Sequence, residues 1–372
     1  MTSTMVSEVY GAVDPTGGGR FLPVHIDGID ADGATRWFTD HVAGTTPPLH
    51  FELISGGHSN LTYSVIDASA PVNHWVLRRP PLRQVLATAH DMTREHRIIS
   101  ALGPTEVPVP PAVAICTDDS VNGAPFYVME FVDGRVIRSA ADAAALSVDE
   151  RRLAGESLVE VLASIHDVDV DAAGLGDLGR KEDYIARQLR RWYSQFQSSE
   201  EQVDGGLGLA AVHEIHDRLE GAIPPQRGAS IVHGDYRLDN CMLGPDGSVM
   251  AVLDWEICTL GDPLADVGLL WVYWSDPDDM AVLPQASPTA FDGFPRKADL
   301  IERYATRSGR DLSDLGFYVA FGYWKLTCII AGVFARYAGG AMGSVAEAEV
   351  AGFRAMLDSL CELTVTASEG IG

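Results

Sequence analysis

The stretch from Ile231 to Glu256, IVHGDYRLDNCMLGPDGSVMAVLDWE, carries the pattern from which the fold is predicted. A short apolar run ends at His233-Gly234, Asp235 follows in a loop, and Asn240 precedes a second apolar run. The segment GPDGS supplies the Gly and Asp residues of a tight hairpin turn. A third apolar run, VMAVL, ends at Asp254. Because a hairpin places its two strands side by side, we expect Asn240 and Asp254 to lie close together.

Asp235, Asn240 and Asp254 together suit phosphoryl transfer. That reaction needs a carboxylate for the acceptor's proton, ligands for Mg²⁺ and cations along the phosphates. The spacing of Asp235 and Asn240 is the D-x-x-x-x-N of the protein-kinase catalytic loop. Amide and carboxylate oxygens are hard ligands of the kind that Mg²⁺ selects, so Asn240 and Asp254 are predicted metal ligands. Asp235 is then left as the catalytic base.

HGDYRLDN and VLDWE, followed by GDPLADVG, resemble the aminoglycoside phosphotransferase family, relatives of the protein kinases, over about Leu53 to Phe334. Within that family, RQLRRWYSQF and VLRRPP most resemble the phosphotransferase domains associated with acyl-CoA dehydrogenases. The resemblance implies an α+β, protein-kinase-like two-lobe fold, with a small, mainly antiparallel-sheet N-lobe and a larger helical C-lobe. It also implies ATP and Mg²⁺ as cofactors and a small-molecule hydroxyl as phosphate acceptor.

The remaining sequence divides into an arm, two lobes and a linker. Residues 1–20 are rich in Gly, Ser and Thr and are predicted to form a mobile arm. Residues 21–130 form the predicted nucleotide-binding N-lobe, in which a helical pattern at ATRWFTDHV precedes short β-like runs and a second helix is expected from Ala87 to Leu102. Residues 131–134 form the linker. Residues 135–372 form the predicted catalytic and acceptor-binding C-lobe. From Ser147 onward this lobe is mostly amphipathic helix, with strands expected only from Ile231 to Leu253.

The segment SGGHSNLTYSV corresponds to the loop that covers the phosphates in the family. Gly56 and Gly57 permit a close approach of the backbone, and Ser59 and Asn60 can donate hydrogen bonds to phosphate oxygens. Taken without the downstream motif, the same segment is better explained as a plain hairpin turn. These four residues are therefore predicted cofactor contacts on the strength of the resemblance.

Other predicted cofactor residues lie on strands and a helix of the N-lobe. Arg78, in VLRRPP, matches the strand lysine that kinases place on the α- and β-phosphates, and Arg is not a simple substitute for Lys. Glu95 is the predicted partner of Arg78, and a solvated helix glutamate is the alternative. The resemblance implies that the adenine lies against the backbone from Glu130 to Val132.

The predicted acceptor-side residues lie in the C-lobe. Arg237, two positions after the base, falls where protein kinases have a lysine near the γ-phosphate; the alternative is a surface cation. An arginine cluster within RQLRRWYSQF either meets an anionic substrate, such as the phosphates of CoA, or forms the outer face of an amphipathic helix. The candidate substrate contacts are Tyr184, Arg187, Arg191 and Trp274.

Bulk composition restricts the partners. The formal net charge of −25 repels nucleic acid and anionic membrane surfaces, so neither is an expected partner. The five scattered cysteines and the lack of a readable secretory signal favour free thiols and a cytoplasmic location. The apolar segment from Phe317 to Ala335 carries Lys325 near its middle, which favours a buried helix over a membrane span. The sequence predicts no oligomeric state.

Two acceptor classes and one non-catalytic alternative stay open. The overall acidity suits a polycationic aminoglycoside, whereas RQLRRW and VLRRPP favour a hydroxyacyl thioester of CoA. A nucleotide-binding module without turnover is supported only by Arg78 in the lysine position. His213 and His216 could share a metal, but no third ligand is apparent, and a solvated helix face is favoured.

Overall fold

The computed structural model describes residues 26–56, 60–82, 91–279, 287–338 and 347–371. The predicted arm at 1–20, and the predicted phosphate contacts Gly57 and Ser59, lie outside these residues. The described chain forms a sheet-rich unit up to Glu130 and a mainly helical unit from Arg135 onward. Together they have the α+β, protein-kinase-like two-lobe fold that the sequence predicts.

The N-lobe is built on a five-stranded antiparallel sheet with the order β1-β2-β3-β5-β4. Its elements, in chain order, are α1 Ala31–His41, β1 His50–Gly56, β2 Leu61–Ile66, β3 His74–Arg79, α2 Met92–Leu102, β4 Ala112–Cys116, the four-residue helix α3 Asp119–Asn122, and β5 Phe126–Glu130. Helix α1 covers one face of this sheet, where Phe38, Tyr63 and Leu77 are fully buried. The opposite face is packed by α2.

Helix α2 places Glu95 behind the nucleotide-facing strand β3. It begins at Met92 because the side chain of Asp91 accepts a hydrogen bond from the Arg94 amide, and it ends at Gly103. Residues 83–90 lie outside the described part, so the predicted start at Ala87 is not tested there. Glu95 lies on the buried face of the helix and is 2% exposed, which excludes the solvated alternative for this residue.

The C-lobe combines helices with two small sheets. Its elements are β6 Arg135–Val136, α4 Ala140–Ala144, α5 Val148–Asp167, α6 Tyr184–Glu201, α7 Ala210–Gly221, β7 Ser230–Val232, β8 Cys241–Leu243, β9 Val249–Val252, β10 Thr259–Gly261, α8 Leu264–Tyr273, α9 Lys297–Ser308, α10 Leu315–Ala338 and α11 Glu347–Ser368. The sheets have the orders β6-β8-β9 and β10-β7. The prediction that the chain from Ser147 onward has strands only between Ile231 and Leu253 was wrong, because β10 is present and, at three residues, is too short to show an alternating pattern.

Helix α10 forms the centre of the C-lobe. By length and composition it could cross a membrane, with a mean hydropathy of 1.5, but 67% of that apolar window is buried inside the protein. It packs closely against α8, where a Cβ on Gly268 would lie 2.4 Å from the Tyr318 carbonyl oxygen. The prediction of a buried helix agrees with this packing, and Lys325 is carried into the interior with it.

Candidate active site

Strand β7 delivers the catalytic loop to its position, and Asp266 of α8 holds the loop there. The Asp266 carboxylate accepts hydrogen bonds from the backbone amides of His233, at 2.7 Å, and Gly234, at 2.9 Å. Burial raises the pKa of Asp266, but hydrogen bonding and nearby His166 outweigh it, so the net pKa is lowered and the carboxylate stays ionised. Gly234 has a φ of +84°, a conformation that favours glycine. This buried arrangement fixes the backbone just before Asp235.

Asp235 and Asn240 are joined directly. The Asn240 side-chain nitrogen donates to the Asp235 carboxylate at 3.0 Å and to the Asp235 main-chain oxygen at 2.8 Å. Asn240 also accepts, at its main-chain oxygen, the amide of Leu253 at 2.8 Å, which continues the β8–β9 pairing. The hairpin therefore brings Asn240 beside Asp254, as the sequence predicts.

Asp254 adopts a left-handed backbone conformation, with a φ of +63°. A non-glycine residue in this region carries strain of about 1–3 kcal/mol, and such strain clusters at functional sites. Its carboxylate accepts a hydrogen bond from the Arg78 guanidinium at 2.6 Å. The same guanidinium nitrogen lies 3.2 Å from Glu95. Arg78 therefore joins the helix glutamate of the N-lobe to the predicted metal ligand of the C-lobe.

The pKa values of Arg78 and Glu95 are both raised, but for different reasons. Burial lowers the pKa of Arg78, but the carboxylates of Glu95 and Asp254 outweigh burial and raise it, so the guanidinium stays charged. Burial raises the pKa of Glu95 to about 7, against the influence of Arg78. Tyr127 on β5 also hydrogen-bonds Glu95. The pair is thus a buried contact in which the Glu95 carboxyl exchanges its proton near pH 7.

Arg237 is held by two acids and an aromatic ring. Its Nε lies 2.9 Å from Asp239 and 3.6 Å from Asp235, and its guanidinium stacks 4.9 Å above the Tyr273 ring centroid. Burial lowers the pKa of Arg237, but the two carboxylates outweigh it and raise it. The Tyr273 hydroxyl in turn hydrogen-bonds the Asp235 carboxylate. Arg237 is therefore part of the surroundings of Asp235, the predicted base, and not an isolated surface cation.

A cleft of about 580 Å³ opens between the lobes. Seven of the predicted site residues line it: Asn60, Arg78, Glu130, Val132, Arg237, Asn240 and Asp254. Gly56 is the last residue of β1, and Glu95 lies behind Arg78. The volume is within the range of small-ligand pockets.

The donor set fits a magnesium ion that is shared with phosphate. The Asn240 side-chain nitrogen is engaged by Asp235, so its amide oxygen is the atom that it can offer to a metal. Within the described ranges, no group of three His, Cys, Asp or Glu side chains is arranged to hold a metal alone. Mg²⁺ characteristically takes one or two protein ligands and completes its shell with substrate phosphates and water. The pair Asn240 and Asp254 matches that requirement.

The four predicted substrate residues differ in their surroundings. Tyr184 is 3% exposed and packs on Gly261, where a Cβ would lie 2.2 Å from the ring, so little of the ring surface is open to a substrate. Trp274 is also buried, yet it lines a smaller cavity of about 190 Å³ beside Arg237. Arg191 is exposed and stacks over Trp192 at 5.2 Å, and Arg187 donates to the Arg180 carbonyl at 2.7 Å.

Sequence reasoning missed three polar residues of this region. Glu256 accepts a hydrogen bond from Asn60 at 3.2 Å, and burial and Asp254 raise its pKa to about 7. Its position two residues after Asp254 in VLDWE could have suggested it. Tyr273 and Lys325 reach the predicted catalytic loop from helices that are distant in sequence, and no local sequence pattern predicts these contacts.

Known proteins are similar to this chain over most of its length. The model of the APH family, described as the phosphotransferase enzyme family, matches residues 50–299. A crystal structure of a predicted aminoglycoside phosphotransferase from Ralstonia eutropha is 33% identical and superimposes with a TM-score of 0.73, covering 91% of this chain and 99% of that one. The structure of spectinomycin phosphotransferase with ADP and spectinomycin is 13% identical, with a TM-score of 0.59 and coverages of 93% and 99%; this likeness shows the fold alone.

Curated relatives carry the same segment inside longer chains. Acyl-CoA dehydrogenase family member 10 of Mus musculus is 32% identical over 323 residues, which are 86% of this chain and 29% of that protein. Acyl-CoA dehydrogenase family member 11 of Gallus gallus is 34% identical over 291 residues, which are 76% of this chain and 36% of that protein. The match therefore spans about a third of each of these two relatives.

Proposed function

Since this chain belongs to the phosphotransferase enzyme family, we propose that it is a small-molecule kinase that phosphorylates an alcohol group, uses ATP with Mg²⁺ and takes a hydroxyacyl-CoA as its acceptor. The observation that carries the proposal is that Arg78, Asn240 and Asp254 line the interlobe cleft, with Arg78 bonded to Asp254 and Asn240 bonded to Asp235. These residues supply a base, two oxygen ligands and a cation in one place.

The proposed reaction is a direct transfer. The acceptor hydroxyl gives its proton to the Asp235 carboxylate, its oxygen forms a bond to the γ-phosphorus, and the bond between that phosphorus and the β,γ-bridging oxygen breaks. The electron pair of the broken bond leaves with ADP, so the products are a phosphate ester, ADP and one proton. Asn240 and Tyr273 hold the Asp235 carboxylate, and Arg78 and Arg237 offset charge on the phosphates. When bound by Asn240 and Asp254, Mg²⁺ supplies charge neutralisation at the phosphates.

Unpaired cations on α6 favour an anionic acceptor. In the described part of the chain, neither Arg187 nor Arg191 has a carboxylate within 4.0 Å, although the chain has a formal net charge of −25. Trp192 connects Arg191 to Lys325, whose ammonium reaches the catalytic loop. A polycationic aminoglycoside would be repelled by these groups, whereas the phosphates of CoA would be attracted. The names of the relatives, which are acyl-CoA dehydrogenase family members, support the same choice.

The test is a comparison of acceptors. Purified protein is incubated with ATP and Mg²⁺ together with 2-, 3- or 4-hydroxybutyryl-CoA, the matching free hydroxy acids, or kanamycin, and the phosphate ester is identified by mass spectrometry. We expect a phosphorylated CoA thioester and no phosphorylated kanamycin. Phosphorylation of kanamycin without any CoA product would refute the acceptor, and nucleotide binding without transfer to any compound would favour a non-catalytic module.

Asp235→Asn is the matched control for the base. It keeps the size of the side chain and removes the proton acceptor, so transfer should fall by about 10²–10⁴-fold. The dissociation constant for ATP should change by less than about threefold, which is below the cost of one typical hydrogen bond. Turnover by this variant at the wild-type rate would show that Asp235 is not the base.

A further inference from the structure

Lys325 is a buried cation that the proposed reaction does not yet use. It lies in the middle of α10, is 6% exposed, and donates from Nζ to the Gly234 carbonyl oxygen at 2.9 Å. Nζ also lies 5.6 Å from the Trp192 ring centroid. No carboxylate of the described residues comes within ion-pair distance of it. A buried ammonium without an ion-pair partner is costly, and such groups are enriched at functional sites.

Gly234 is held from two sides by opposite charges. Its amide donates to the Asp266 carboxylate at 2.9 Å, and its carbonyl accepts from Lys325 at 2.9 Å. The two charged groups come from separate helices, α8 and α10, which cross closely at Gly268. Hydrogen bonds to charged groups are roughly twice as strong as neutral ones. The residue just before the base is therefore fixed at both of its peptide groups.

The Gly234 carbonyl carbon is bonded to the backbone nitrogen of Asp235, the proposed base. The Gly234 carbonyl belongs to the same peptide unit as the Asp235 amide, so a rotation of that unit would move the origin of the Asp235 side chain. Asp235 is otherwise oriented at its carboxylate end by Asn240 and Tyr273. Lys325 is placed to fix its backbone end.

We propose that Lys325 is a positioning residue for phosphoryl transfer, which holds the Gly234 carbonyl so that Asp235 projects toward the acceptor hydroxyl. The inference rests on the proposed function, because Asp235 is the base in that function. Burial lowers the pKa of Lys325, Asp266 and Asp235 raise it, and Arg191 lowers it; these groups, with the Trp192 ring, make up its charged and aromatic surroundings. The positioning role of Lys325 is inferred from its hydrogen bond to the Gly234 carbonyl and from its burial.

The experiment separates positioning from stability. Lys325→Met removes the ammonium and keeps an unbranched chain, and Thr327→Val is the matched control. Thr327 is fully buried on the same helix and bonds the Tyr323 carbonyl at 2.9 Å and Thr364 at 3.0 Å, and neither of these partners belongs to the loop. Both variants lose a buried polar interaction of α10, and only Lys325→Met loosens Gly234.

We expect Lys325→Met to lower kcat by about 10–100-fold, since a displacement of about 1 Å can cost 10²-fold, and to leave the KM for ATP within about threefold. Thr327→Val should keep kcat within about twofold at a similar loss of Tm, and Lys325→Arg, which restores a donor and a charge, should recover part of kcat. A folded Lys325→Met protein with wild-type kcat would overturn the proposal.

A second measurement does not depend on the acceptor. Hydrogen exchange of peptides that cover residues 231–240 should accelerate in Lys325→Met and stay unchanged in Thr327→Val. If the wild-type protein transfers phosphate to none of the tested acceptors, the proposed function fails, while this measurement still decides whether Lys325 holds the loop. Unchanged exchange in both variants would refute the role of Lys325 whatever the acceptor is.

Discussion

Arg78→Met removes the cation that joins the two lobes and leaves its apolar stem. In the wild-type protein, the guanidinium lies 2.6 Å from Asp254 and 3.2 Å from Glu95, and the Arg78 and Glu95 side chains are 13% and 2% exposed. Without Arg78, ionised Glu95 would be a buried charge with no ion-pair partner. Breaking a buried pair in this way costs about 3–5 kcal/mol of unfolding free energy.

Protonation of Glu95 limits that cost in a pH-dependent way. Burial has already raised its pKa to about 7, from 4.5, and the loss of Arg78 raises it further, because the opposing effect of the cation disappears. Each unit of pKa corresponds to about 1.4 kcal/mol. The folded variant therefore binds more protons than the folded wild type near pH 7, and its relative stability falls as pH rises. We expect a loss of about 1–2 kcal/mol at pH 6 and about 3 kcal/mol or more at pH 8.

Urea unfolding at pH 6 and pH 8 measures this effect. The double variant Arg78→Met/Glu95→Gln should recover more than half of the loss at pH 8, because it leaves no uncompensated glutamate. The control is Arg152→Met, whose ion pair with Glu156 at 3.1 Å is half exposed and should contribute less than about 1 kcal/mol. A loss no greater than that of the control, or a loss independent of pH and of Glu95→Gln, would refute the buried pair as the stabilising contact.

Two further variants test the support of the catalytic loop. Gly234→Ala places a side chain at a φ of +84°, with its Cβ 3.1 Å from Ile257. The variant should lose about 1–3 kcal/mol of unfolding free energy in urea and should have a lower kcat. A variant as stable and as active as the wild type would contradict the strained turn. His166→Gln tests acid stability. Burial lowers the pKa of His166, which lies 3.5 Å from Asp266, so the unfolded state binds the extra proton and wild-type stability falls as pH drops below about 6.5. The variant should show a shallower fall between pH 7 and pH 5, and an unchanged slope would exclude His166 as the cause.

Local patterns predicted the parts of the site that are close in sequence. The hairpin between β8 and β9 follows from GPDGS, and it places Asn240 beside Asp254 through the bond of its main-chain oxygen to Leu253. That result depends on a turn, which the sequence displays directly. Glu95 as the partner of Arg78 came from the family resemblance, because the helical pattern alone left a solvated glutamate open; the structure places it on the buried face of α2, 3.2 Å from Arg78.

Local sequence patterns did not predict the contacts that distant helices make with the catalytic loop. Lys325 lies 91 residues from Gly234, and its meeting with the catalytic loop depends on how α10 packs against α8. Tyr273 reaches Asp235 only because α8 ends at the loop. Within its own segment, Lys325 is only a charged residue in an apolar helix, and Tyr273 is only an aromatic residue among apolar ones. Tertiary packing alone gives them their neighbours.

The charge balance of the cleft bears on Arg78 in the lysine position. Five acids surround the site, with two arginines between them: Glu95, Asp235, Asp239, Asp254 and Glu256 against Arg78 and Arg237. Burial raises the pKa of Glu95 and Glu256 to about 7, which removes part of the excess negative charge near neutral pH, but the site stays acidic. A nucleotide that brings more negative charge needs cations with it, so we expect the proposed nucleotide and metal binding to be strongly coupled here. A guanidinium carries the same unit charge as an ammonium, and a single nitrogen of Arg78 already reaches both Asp254 and Glu95. Arg78 in the lysine position is therefore weak evidence for a module without turnover.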